Sequence, residues 1–274
     1  LSSCAACLLF RKVAFTPGAS VLPVNASEKM PNGDEEIRQD FSAHQGRYRS
    51  PRLHAELRER GRRIARKRVA RLMREAGLCA KRKRKRVLTT RRDPSHPVAP
   101  NLLNRDFTAT EPNSKWVTDI TYIPTMHGWL YLAVIVDLYS RMVVGWSMSG
   151  NCDENLVERA LEQAIARRHP KAGLLHHSDR GSQYTSQAYQ WCLEQSGMHV
   201  SMSRKGNCWD NAAMESFFGT VKDECVGSTI YASHDEARLA LFTYIEGYYN
   251  RVRRHSTLGY VSPFNYEQKR KQQM

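Results

Sequence analysis

Residues Ser201–Cys225 read SMSRKGNCWDNAAMESFFGTVKDEC. From Asn211 no Gly or Pro interrupts the segment before Gly219, and Asp210 or Asn211 is placed to cap a helix. At helical spacing Met214, Phe217, Val221 and Cys225 share one face, an apolar stripe for packing. Asn211, Glu215 and Lys222 fall on a narrow strip beside it. An amide, a carboxylate and an ammonium at the edge of a core suit a metal ligand with substrate contacts next to it. On this helix alone a half-exposed surface strip with chance polarity is the better reading, and what overturns it lies upstream.

From Lys115 the pattern predicts three strands, Trp116–Pro124, Gly128–Asp137 and Met142–Met148, joined by short turns. A helix at Asn155–His169, a strand at Gly173–Ser178, a helix at Thr185–Ser196 and a brief strand at His199–Ser201 then lead into the quoted stretch. This is an α/β domain with a mixed sheet flanked by helices. Asp119 lies inside the first strand, in WVTDITYIP, where a solubilising carboxylate is out of place. Asp179 follows the fourth strand in HHSDRGSQY, and strand ends of α/β sheets are where ligands bind. If those two strands are neighbours, their acids meet at one edge and the helix brings Glu215 over them. Three clustered carboxylates call for hard cations: two Mg²⁺, with Mn²⁺ as a substitute. Such a pair stabilises the attacking and leaving oxygens of a phosphoryl displacement.

The charge points the same way. The 274-residue chain carries a formal net charge of +15, a length that suggests about two domains. Gly46–Asp93 holds 20 Lys and Arg against 4 Asp and Glu, so this segment carries the entire excess and expects a polyanion. Within it, Ser50-Pro51 reads as an N-cap followed by Pro at the first helical position. Leu53 and Leu57 repeat at helical spacing, and Gly61 ends that helix. Ile64–Ala76 resumes with Val69, Leu72 and Met73 on one face. Two Arg-rich helices across a Gly-containing turn fit a helix-turn-helix, and an ordinary basic helical hairpin equally. KRKRKR at Lys81–Arg86 reads as a linker lying on phosphate; a nuclear-localisation signal fits the run alone.

With these residues together, the chain resembles the second-frame catalytic protein of IS3-family insertion-sequence transposases, in the DDE transposase and retroviral-integrase superfamily. The motifs WVTDITYI, HHSDRGSQY, SMSRKGN, WDNAAMESFF and YNRVRRHSTLGYVSP carry the resemblance, as do the 35 residues between Asp179 and Glu215. YRSPRLHAELRERG with RKRVARLMREAGL resembles the helix-turn-helix that precedes the family's core. The similarity covers about residues 31–270. It implies an RNase H-like core with Asp119, Asp179 and Glu215 as catalytic metal ligands, and Lys222 at a DNA-contacting position. The implied activity is divalent-metal-dependent strand cleavage and strand transfer on insertion-sequence ends. The implied partners are double-stranded DNA (terminal inverted repeats and target), a homo-oligomer on paired ends, and the first-frame protein. A DNA-binding regulator with an inactive core, or a cellular RNase H-like nuclease, are the competing readings. The intact triad argues against the first and the basic helices against the second.

The expected organisation is an unmatched leader at 1–30, the helix-turn-helix region at 31–79, a basic linker at 80–112, the catalytic core at 113–230 and a helical extension at 231–274. A start at Leu1 rather than Met suggests a fragment or a fused reading frame. Further expected DNA contacts are Asn211, Arg204, Lys205, Arg66, Lys67, Arg68, Arg71, Lys81, Arg82, Lys83 and Arg84, with Trp209 stacking on an unpaired base. Trp116, Trp146 and Trp191 read as core, and Asp137 as a turn-capping residue or a support to the site. His176 and His177 either orient a ligand or DNA, or simply end a strand. Asp235–Tyr249 predicts a further helix, and Ser262-Pro263 caps a last one. The seven dispersed cysteines exclude a disulfide framework, and the longest apolar run, Leu130–Val136, excludes a membrane span. A bacterial cytoplasmic, nucleoid-associated protein is expected.

Overall fold

The structure is a computed structural model and describes residues 33–80, 99–204 and 207–272. The expectations for the leader at 1–30, for Lys81, Arg82, Lys83 and Arg84, and for Lys205 lie outside the described residues.

Five strands form one sheet in the order β3-β2-β1-β4-β5. They are β1 (Lys115–Thr125), β2 (Gly128–Asp137), β3 (Val143–Ser149), β4 (Leu175–Ser178) and β5 (His199–Met202). The first three make the expected antiparallel meander, with Asp119 opposite Val134. β4 pairs parallel to β1 only along Lys115–Val117, with Val117 opposite His177. The first and fourth strands are therefore neighbours. Their shared register ends two residues before Asp119 and Asp179, where the strands part. This is the RNase H-like mixed sheet with helices on both faces.

Strand alternation sorts the two faces. Ala133, Ile135 and Val144 pack under α4 (Glu154–Arg168) and α5 (Gln187–Gln195). Val117, Leu132 and Val134 pack under α6 (Ala212–Val221) and α7 (His234–Phe242). Asp153 caps α4 by accepting from the Leu156 amide. At Gly145 a Cβ would lie 2.2 Å from the Ala160 carbonyl oxygen, so the missing side chain lets α4 lie directly on β3. α5 buries Tyr189 and Leu193. Trp191, expected in the core, lies on its outer face and is 60% exposed.

α1 (Gly33–Ala43), α2 (Ser50–Glu59) and α3 (Arg66–Glu75) enclose a small third core of Ile37, Tyr48, Leu53, Leu57, Val69, Leu72 and Met73. The N-cap of α2 is Arg49 rather than Ser50; Ser50 is the first helical residue, and no side-chain capping bond forms. This unit joins the remainder through Tyr248, which packs against the third core, and through a network of ion pairs centred on Glu224.

Two helices expected to be regular widen. α7 passes into a π-helical turn at Thr243–Tyr249, and α6 into one at Lys222–Val226. The Gly227 amide donates to the Lys222 carbonyl oxygen and the Asn250 amide to that of Ile245, both five residues back. The wider turn keeps residues five apart on one face, so Val221 with Val226, and Tyr244 with Tyr249, are buried together. Cys225, placed by helical spacing on the apolar stripe, is only half-buried, and Glu224 is buried instead. Ser262 caps α8 (Pro263–Lys271) by accepting from the Asn265 amide.

Candidate functional site

Asp119 stands where β1 leaves β4. Its Oδ1 accepts from the Ile120 amide at 2.7 Å and its Oδ2 from the side-chain amide of Asn211 at 2.9 Å. Asp179 follows β4 and accepts from the Gly181 amide at 2.9 Å. Burial, with the charges of Asp179 and then Glu215, pushes the Asp119 carboxyl well above the ordinary carboxylate range. Burial also raises Asp179. Two carboxyls in one desolvated space resist losing both protons.

Glu215, in the first turn of α6, is near enough to act on Asp119 electrostatically. It is not gathered with the two aspartates into a ligand set; among the described residues no group of three His, Cys, Asp or Glu side chains is positioned to hold a metal ion. Asn211 links α6 to β1 through its bond to Asp119. Its own Oδ1 is buried and has no hydrogen-bond partner among the described residues. A buried amide oxygen without a donor is costly unless the site supplies a partner. The Lys222 ammonium lies 4.7 Å from the centre of the Tyr122 ring, against the side of β1 that β4 leaves unpaired.

Neither expected cap serves α6. Asn211 holds the N-cap position without a capping bond, and Asp210 is fully buried among cations. The Asp210 carboxylate accepts from the backbone amide and guanidinium of Arg204, from Arg105 and from the Asn101 side chain. The Arg204 hydrogen bond, ahead of the other contacts, holds that carboxyl far below its usual range. The Arg204 guanidinium is thus engaged in an ion pair with Asp210 at 2.8 Å. His177 bridges the Ser201 hydroxyl at 2.8 Å with the Ser203 hydroxyl and the Asp210 carbonyl oxygen at 3.1 Å. His176 bonds the Tyr189 hydroxyl at 2.9 Å. Burial lowers His176 to about 3 and His177 to about 4, so both are neutral ties between elements. Together these bonds fix the start of α6, and with it Glu215, against β4 and β5.

Asp137 is buried at the end of β2, accepts from the Asn113 and Tyr139 amides and pairs with Arg168 at 3.3 Å. It closes a turn away from Asp119. Trp209 is 69% exposed beside the start of α6. Arg66, Lys67, Arg68 and Arg71 are exposed on α3, opposite its buried Val69, Leu72 and Met73, and Arg71 pairs with Glu75 at 3.6 Å. Sequence reading passed over Glu224 and Arg253. The buried Glu224 carboxylate receives Arg253 at 2.9 Å and the Tyr244 hydroxyl at 2.9 Å, and Arg52 of α2 stands 3.5 Å away. Regular helical spacing sets Glu224 three residues after Val221 and seven after Phe217, at the edge of the apolar stripe, but its partners Arg253 and Tyr244 lie 29 and 20 residues further on, beyond any local pattern. No helix among the described residues is long and apolar enough to cross a membrane.

Comparison with known proteins extends these observations. A family model described as an HTH-like domain matches residues 32–86, and two described as integrase core domains match residues 109–208 and 196–263. The insertion element IS600 uncharacterized 31 kDa protein of Shigella sonnei is 49% identical over 222 residues, 81% of this chain and 82% of that protein. The transposase for insertion sequence element IS904 of Lactococcus lactis is 46% identical over 233 residues, covering 85% of this chain and 92% of its own length. Transposase InsF for insertion sequence IS3A of Escherichia coli is 46% identical over 229 residues, 84% of this chain and 80% of its own. Among solved structures, the HTLV-2 integrase catalytic core domain in complex with magnesium (trimeric form) aligns over 58% of this chain and 99% of its own, at 19% identity and a TM-score of 0.44.

Proposed function

The chain belongs to the IS3-family insertion-sequence transposases, and from that premise we propose that it cuts and joins DNA at the ends of its element. Asp119, Asp179 and Glu215 hold two divalent ions, Mg²⁺ or Mn²⁺. The observation that carries this reading is the buried pair of aspartates at the parting of β1 and β4, with Glu215 acting on Asp119 from α6. The residues fit such ions: the donors are hard carboxylate oxygens, and the partnerless Oδ1 of Asn211 offers a further acceptor beside them. When bound, the ions supply Lewis-acid stabilisation of an in-line phosphoryl displacement.

The chain's own residues do the rest. Asn211 orients the Asp119 carboxylate through its 2.9 Å bond. Asp210 and His177 tie the start of α6, and with it the turn that carries Glu215, to β4 and the segment after β5. Lys222, seven residues beyond Glu215 and roughly 10 Å along the helix, lies too far to share the ions but within reach of a neighbouring phosphate. Arg66, Lys67, Arg68 and Arg71 present a row of charge on α3 to the duplex, and Trp209 presents a ring to an unpaired base. Two copies acting on paired ends, the family's first-frame protein and a cytoplasmic, nucleoid-bound setting complete the proposal, as does a chain divided near residues 79, 112 and 230.

The test is nicking and joining of the element's own ends with Mg²⁺. Asp119→Asn, Asp179→Asn and Glu215→Gln should each lose at least about a thousandfold in rate, in proportion to the charge stabilisation removed, while DNA binding persists. Substantial Mg²⁺-dependent joining by any one of them would overturn the assignment.

A further inference from the structure

On the flank of α6 turned away from Glu215, a cavity of about 310 Å³ opens between this helix, α2 and the segment that follows Tyr249. Its lining includes Arg52, Arg141 and Arg253 and the hydroxyl-bearing residues Ser216, Thr220 and Thr257. One acid, Glu224, answers two of these cations, pairing with Arg253 at 2.9 Å and Arg52 at 3.5 Å. Arg141 has no carboxylate within ion-pair distance among the described residues; its guanidinium bonds the Phe107 carbonyl oxygen at 3.0 Å. Its backbone is left-handed, with φ of 60°, at a turn position that Gly or Asn would fill with less strain. The hydroxyls of Ser216 and Thr257 donate to no other described residue. His255, also on the wall, is held well below its usual range by burial and by Arg253, Arg52 and Arg141, a separate sign that the cavity is electropositive.

Guanidinium forks surrounded by hydroxyl donors are the chemistry that recognises a phosphate oxygen. We propose that this cavity binds one backbone phosphodiester of the end DNA, with Arg141 as its principal contact and the Ser216 and Thr257 hydroxyls as further donors. The assignment rests on the DNA-processing reading and adds to it a second point of contact. Ser216 and Glu215 are consecutive on α6 but about 100° apart round its axis. A strand crossing that helix is therefore held on one flank while a phosphodiester a few nucleotides away faces Asp119 and Asp179 on the other. Such a contact fixes register without reading a base.

The test is equilibrium binding of the full chain to end DNA without divalent metal, using duplexes in which single phosphates are replaced in turn by neutral methylphosphonates. The wild-type protein should lose roughly tenfold in affinity at one linkage per strand end. Arg141→Gln should bind unmodified DNA about tenfold more weakly, show no further loss at that linkage, and have a log–log salt slope smaller by about 0.9. Thr257→Glu, at an exposed position that leaves the core intact, should lose affinity at the same linkage. If either variant keeps the wild-type methylphosphonate profile, the cavity is not a phosphate site. If DNA binds normally with only the cavity variants silent, the transposase reading stands and this inference falls. Failure of the wild-type chain to bind DNA at all would sink both.

Discussion

Replacing Glu224 by Gln tests what joins the N-terminal helices to the catalytic helix. The carboxylate is 7% exposed and its partner Arg253 is 4% exposed. Arg253 donates through Nε to both carboxylate oxygens at 3.1 and 2.9 Å, and through Nη2 at 2.9 Å; the Tyr244 hydroxyl donates at 2.9 Å. Glutamine keeps the shape but removes the charge, and it turns an NH₂ toward a donor. A buried guanidinium left uncompensated costs about 3–5 kcal/mol. That is a large share of the ~5–15 kcal/mol by which a domain is stable. Arg52 contributes little by comparison: it is 3.5 Å away and 23% exposed, so Arg52→Gln should cost about 1 kcal/mol or less. The assay is urea unfolding of the full chain, with amide exchange in α2 followed in parallel. Glu224→Gln should lower the unfolding free energy by the stated amount and speed exchange in α2. Glu224→Leu combined with Arg253→Met should be less damaging than either single change, because both charges leave together. A cost under about 1 kcal/mol for Glu224→Gln, or simple additivity in the double variant, would refute the reasoning.

Burial lifts the Asp137 carboxyl to about 6, against ~3.9 in an unfolded chain. The folded state holds that proton more tightly between those values, so the group favours folding most below about pH 4 and loses that advantage as pH rises through about 6, by at most ~3 kcal/mol. Asp137→Asn should therefore flatten the change in stability between pH 4 and 6 while leaving end cleavage intact; an unchanged slope or lost cleavage contradicts this. Gly145→Ala forces a methyl into the Ala160 carbonyl and should cost about 1–3 kcal/mol or more by thermal unfolding, whereas a neutral result would mean that α4 is free to move off β3. Lys222→Glu should keep the wild-type melting temperature yet lose joining of the correct 3′ end, with Lys222→Arg retaining part of it; joining at the wild-type rate by the Glu variant would leave Lys222 without a DNA role.

Much of this was legible in the sequence because it is local. Alternation of apolar residues marks β1, β2 and β3, and the period of two puts Asp119 on the same face as Ile123. Asp179 stands immediately after a strand, and α6 is an uninterrupted apolar-periodic run, so the positions of both were visible as pattern. The +15 charge localises to one segment by counting alone. Tertiary structure decided what depends on contacts distant in sequence. The parallel pairing of β1 with β4, 60 residues apart at Val117 and His177, is what brings the two aspartates to one edge. Asp210, read as a helix cap, became a buried anion because Arg204, Arg105 and Asn101 converge on it, and no local pattern encodes that convergence. Trp191 turned outward because Tyr189 and Leu193 already fill the inner face of α5. Cys225 left the apolar stripe because α6 widens into a π turn, and Glu224 stays buried at the stripe's edge because Arg253 and Tyr244, far along the chain, meet it there. Period reports a side chain's direction only while the backbone keeps its pitch. Charge pairing and the cavity behind α6 arise between segments, and only the folded chain specifies them.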